Sequence, residues 1–122
     1  MLKIWFLRLA AIYFVIGVSL GYAMSVTESF VQAPVHAHVN LLGWVSMALF
    51  GLIYFAWPAA ADTRLAKAHF ALYNIGLPIM LVGLSIFLGG TKAAGPVIGL
   101  GATLVIVGIL CFAINLFRQI KA

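Results

Sequence analysis

The chain has 122 residues, of which 66% are hydrophobic and only 7% charged, with a formal net charge of +5. A water-soluble domain of this length cannot hide so much apolar surface, so lipid is the expected solvent. The basic residues sit between apolar runs rather than along one face, which argues against a nucleic-acid partner and makes them topology signals.

In chain order, four apolar runs of roughly 20 residues are each long enough to cross a bilayer. They cover about 4–24, 34–57, 68–88 and 96–117. The expected fold is therefore an all-α integral membrane protein, with residues 1–122 forming a single four-helix transmembrane domain. The first run carries Arg8, expected to snorkel to the headgroups. A cleaved signal peptide is the rival reading of residues 1–23, with Gly21-Tyr22-Ala23 as its cleavage site, but the run is long for such a segment. The second run opens at Pro34 and closes at Pro58. The third contains Asn74, Gly76, Pro78 and Gly83, which predict a kink and a close helix contact. The fourth contains Gly95, Gly99 and Gly101, which predict close packing, and the single cysteine, Cys111, read as a small packing residue. Between the runs lie the turn formers Gly89-Gly90 and Gly95-Pro96.

Lys3 and Arg8, Arg64 and Lys67, and Arg118 and Lys121 can all lie on one side, leaving only Lys92 on the other. The positive-inside rule then places both termini in the cytoplasm of a bacterial-type inner membrane and the loop carrying Glu28 outside.

The second run holds the chemistry. Pro34-Val35-His36-Ala37-His38-Val39-Asn40-Leu41-Leu42-Gly43-Trp44 sets two histidines and an asparagine at its mouth. Polar side chains at membrane depth are costly and mark sites, and histidine is a common axial ligand of haem iron. At about 100° per residue, His36 and His38 point about 200° apart. The His36 side also collects Asn40, Gly43, Met47, Gly51 and Tyr54, where the glycines let another helix or a flat ligand approach. The His38 side is an apolar wall of Val45, Leu49 and Leu52. An i, i+2 pair on a regular helix cannot converge on one metal ion. The bland alternative is a pair of wetted interfacial histidines. His69 lies roughly 30 Å from His38 by helix rise, at the inner end of the third run, and is expected at the interface or in a hydrogen bond there.

These residues resemble a known family. His38-x-Asn40-Leu41-Leu42, with Trp44 and then Gly51, Tyr54 and Pro58, looks like the second helix of haem-copper oxidase subunit I, in its nitric oxide reductase and cbb3-type branches. The downstream spacing slips by about one residue. The His36-x-His38 pair also resembles the tenth helix of that family, where two histidines ligate haems on opposite sides. The resemblance covers about 25 residues and implies haem b as cofactor. His36 and His38 would be the iron ligands, and Asn40, Gly43 and Trp44 would line the site. Lys92 would stand near the propionates, where the family carries arginines after its eleventh helix. Subunit I has about twelve helices in an approximately threefold arrangement of four-helix units. A homotrimer of this chain would reproduce that plan, with His38 of one copy facing His36 of the next across a haem. The copper-site histidines, the cross-linked tyrosine motif and the charged proton-channel residues are missing, so copper is unsupported and catalysis is left open.

The expected function is a haem b membrane protein for electron transfer or for binding a diatomic gas such as nitric oxide or oxygen. Its partners would be lipid, further copies of itself and a redox protein. Two rivals are weighed against it. A proton-coupled transporter needs an acidic residue within a span, whereas Glu28 and Asp62 fall in loops. A haem-free accessory or assembly subunit of a respiratory complex would use its glycine-bearing helix faces to pack against a larger partner.

Overall fold

A computed structural model describes residues 1–121. Helix α1 covers Leu2–Thr27. The second span is composite: α2 covers Ala33–His38, a π-helical stretch covers Val39–Val45, and α3 covers Ser46–Ala56. A short α4, Pro58–Ala61, turns the corner into α5, Arg64–Leu88. A single 3-10 turn at Lys92–Ala94 leads into α6, Gly95–Gln119. Four helical segments are long and apolar enough to cross a membrane, and no strand occurs among the described residues. The spans expected from the sequence fall inside these helices, with edges displaced by a few residues.

Local chemistry sets the breaks. α1 ends at Glu28 in a left-handed conformation, φ 53°. Trp57 precedes Pro58 and is forced out of the helical region, to φ −127° and ψ 79°. Thr63 caps α5, its Oγ1 accepting from the Ala66 amide at 3.0 Å. The turn after α5 uses Gly90 at φ 116°, a conformation open to glycine and costly for other residues.

The helices form two antiparallel hairpins. In the first, α1 packs against the second span: Gly17 meets Asn40, Gly21 meets His36, Gly43 meets Tyr13 and Gly51 meets Leu7. In the second, α5 and α6 close on each other where Gly76 meets Gly101 and Leu104, and Gly83 meets Ile98. A Cβ on Gly101 would lie 2.7 Å from the Cα of Met80, so the two backbones are effectively in contact there. The close contact expected of Gly76, Gly83 and Gly101 is thus present. Gly99, grouped with them, meets nothing within 4 Å and faces outward.

The hairpins join through one aromatic layer. Phe6 and Phe50 lie 5.5 Å apart, and Phe50 lies 4.7 Å from Phe112, measured between ring centres. Tyr54, Tyr73 and Leu77 are fully buried beside them. Polar ties reinforce both ends. The buried Asn115 donates to the Ala60 carbonyl at 2.7 Å and accepts from Thr63 at 2.8 Å, locking the α4 corner to α6. At the other end Gln32 donates to the Ser85 carbonyl at 3.2 Å. The interior is small relative to the surface: within the most apolar stretch of each span, only 17–33% of residues are buried by the chain itself. Ile12, Val15, Val82, Ile106 and Leu110 stand exposed, as lipid-facing residues do.

Candidate functional site

His36 and His38 lie in the last turn of α2, just before the helix widens. His36 faces α1. Its Nδ1 donates to the Gly17 carbonyl at 2.9 Å, and its ring packs against Gly21, where a Cβ would come within 2.7 Å of Cε1. Asn40, one turn on, donates from Nδ2 to the His36 carbonyl at 2.9 Å and fills the gap above Gly17. His38 lies exposed, and its Nδ1 donates to the Pro34 carbonyl at 2.6 Å. A carbonyl oxygen can only accept, so both rings carry their proton on Nδ1. Both keep the Nε2 lone pair free of protein partners among the described residues. A backbone carbonyl on the far nitrogen is the arrangement that orients ligating histidines and raises their basicity.

Gly43 is buried beneath Tyr13, and Trp44 stacks on Phe14 at 4.5 Å. Beyond His38 the outward side chains are Leu41, Val45, Leu49 and Leu52, all substantially exposed. Lys92 sits in the α5–α6 turn, at the end of the bundle that the Gln32–Ser85 bond ties to α2, with its Nζ 4.2 Å over the Phe87 ring.

Two expectations need correction. A regular helix was expected through the second span. Instead Val39–Val45 is π-helical, the widened form that recurs at functional sites. The looser turn frees carbonyls for side-chain donors: Ser46 Oγ donates to Leu41 at 2.7 Å and the Tyr73 hydroxyl donates to Leu42 at 2.8 Å. His69 was expected at the interface or in a hydrogen bond there, and the hydrogen bond is present while the exposure is not. It is fully buried, with ring centres of Phe50, Phe112 and Phe6 at 4.4, 4.9 and 5.0 Å. Its Nδ1 is hydrogen-bonded to the Tyr54 hydroxyl at 2.9 Å, while its Nε2 is buried without a partner. The reason is helical phase: its face of α5 turns towards Phe6 and Phe50, into the interior of the bundle. Among the described residues no three His, Cys, Asp or Glu side chains cluster as a metal site would require.

Sequence reading missed Gly17 and Gly21. Their signal is a G-x-x-x-G spacing in the first span, which lets a partner helix approach closely. Here the partner is the His36-x-x-x-Asn40 face. The Gly43, Met47 and Gly51 side, read as open to a helix or a flat ligand, is occupied by α1 of the same chain.

No family model, curated protein or solved structure matches the chain. The site therefore stands on its own chemistry. Neither histidine lines any of the larger cavities of the chain. A porphyrin at these rings has to be enclosed by something beyond one copy.

Proposed function

We propose that this chain is a haem b-binding membrane protein, resembling a four-helix unit of haem-copper oxidase subunit I, that serves electron transfer or the binding of a diatomic gas. The observation that carries the reading is the matched state of the two histidines. Each is anchored at Nδ1 by a backbone carbonyl, at 2.9 and 2.6 Å, and neither Nε2 has a hydrogen-bond partner among the described residues, although His38 is exposed while the His36 ring packs on Gly21 of α1. The residues fit the group: His36 and His38 would hold the iron through Nε2, and Lys92 supplies a cation at the same end for the propionates. Haem held there would supply one-electron chemistry or a site for a diatomic gas. The chain's own residues orient the rings. Gly17 and Asn40 fix His36, Pro34 fixes His38, and Leu41, Val45 and Leu49 offer an apolar face.

The reading is completed by further copies. A homotrimer with both termini cytoplasmic, in a bacterial-type inner membrane, would set His38 of one copy towards His36 of the next. The exposed His38 and its apolar wall support this, because one copy leaves them uncovered.

Absorption spectra of the purified protein, oxidised and reduced, after expression with ample haem, test it. A haem b spectrum that disappears in His36→Ala and His38→Ala is expected. A colourless, well-folded preparation would overturn the reading. It would leave standing the second one, a haem-free accessory or assembly subunit of a respiratory complex.

A further inference from the structure

The larger cavities at other places on the chain are lined almost wholly by apolar side chains. One at the end of the bundle where α1 and α5 begin is different. It has a volume of about 210 Å³ and lies between Leu2 and Lys3 of α1, Pro58 and Asp62 of the α4 corner, and Lys67 of α5. With Met1 and Ala61 completing the lining, it brings two lysines and one aspartate to one concave place. Its walls are prebuilt. Asn115 and Thr63 pin the α4 corner to α6, and the Lys3 ammonium rests over the Phe55 ring beside the cavity, 4.7 Å from its centre, from where its flexible stem lets it reach an anion. Trp5 and Trp57 stand half-exposed close to it in sequence, at 46% and 47%, as aromatic side chains do where lipid meets water. Below it the exposed Ile4 and Phe55 continue as apolar surface.

We propose that this cavity binds the phosphodiester of an anionic phospholipid whose headgroup bears a hydroxyl, as phosphatidylglycerol does. Lys3 and Lys67 meet the phosphate oxygens, and the Asp62 carboxylate accepts the headgroup hydroxyl. Basic pockets between helices at a membrane surface recognise such headgroups. Asp62 adds selectivity, since it repels a phosphomonoester and rewards a hydroxyl donor. The acyl chains then lie along the exposed face of α1. A free phosphate ion offers the lysines the same oxygens, so the two sources must be separated by experiment.

The delipidated full chain in detergent is titrated with phosphatidylglycerol, with phosphatidylcholine of the same acyl chains, and with inorganic phosphate, and bound species are counted by native mass spectrometry. Two basic side chains, each contributing roughly fivefold near an anionic group, predict a preference for phosphatidylglycerol over phosphatidylcholine of about thirtyfold. Lys3→Gln combined with Lys67→Gln should abolish the preference. Arg118→Gln, a loss of charge at the same end but outside the cavity, should leave it intact. Asp62→Asn should retain binding yet lose discrimination against phosphatidic acid of the same acyl chains, titrated in the same way. Equal retention of the two lipids would overturn the proposal. So would a preference that survives the double lysine variant, or one that inorganic phosphate removes at millimolar concentration. Should the double variant not fold, Lys67→Gln alone must still weaken the preference severalfold.

Discussion

His69 is the residue whose setting differs most from expectation. It is sealed among three phenylalanines, with one ring nitrogen bonded to Tyr54 and the other unpartnered. A buried polar group stripped of its only partner retains its desolvation cost, whereas removing both partners together is nearly neutral. Tyr54→Phe should therefore destabilise the protein by about 1–3 kcal/mol, and adding His69→Phe should recover most of that loss. Thermal or denaturant melts of the two variants in detergent check this. A double variant no more stable than Tyr54→Phe alone would mean that the hydrogen bond is not the relevant interaction. His36 presents the opposite case. Its sequence position suggested a site, and its hydrogen-bond partner, the Gly17 carbonyl, could not be read because it belongs to another helix.

Among the elements, α5 and α6 are held by backbone proximity more than by interlocking side chains. Gly101 has no room for a methyl group against Met80 and Gly76, while Gly99, two residues earlier, faces open space. Gly101→Ala should cost about 1–3 kcal/mol through overpacking. Gly99→Ala should be neutral or slightly stabilising, by up to about 1 kcal/mol from helix propensity. Equal melting temperatures for the two variants would contradict this packing. The glycine content of the runs was visible beforehand, but which glycines form the seam depends on the rotation of each helix about its axis. In the second span the wheel grouped Gly43, Met47, Gly51 and Tyr54 on one side, and that side is the buried one, even though Val39–Val45 is π-helical.

The whole molecule leaves most of its apolar surface uncovered, and His38 lies on that surface. If copies associate through the outer face of the second span, native mass spectrometry in mild detergent should find three chains per particle. Leu49→Arg, in the middle of that face, should return the protein to monomers while leaving each chain helical by circular dichroism. A monomeric wild type would remove the basis for the trimer. Length, hydropathy and proline placement alone determined that there are four spans, roughly where each ends, and that the charged residues lie at their edges. These are properties of each segment read by itself, set by its length, hydropathy and punctuation. Only the tertiary structure decided that Gly17 and Gly21 form the seat of His36, that His69 lies in the core, and that Lys3, Asp62 and Lys67 share one cavity. Each of these depends on how helices distant in sequence are turned towards one another, and close packing sets that angle.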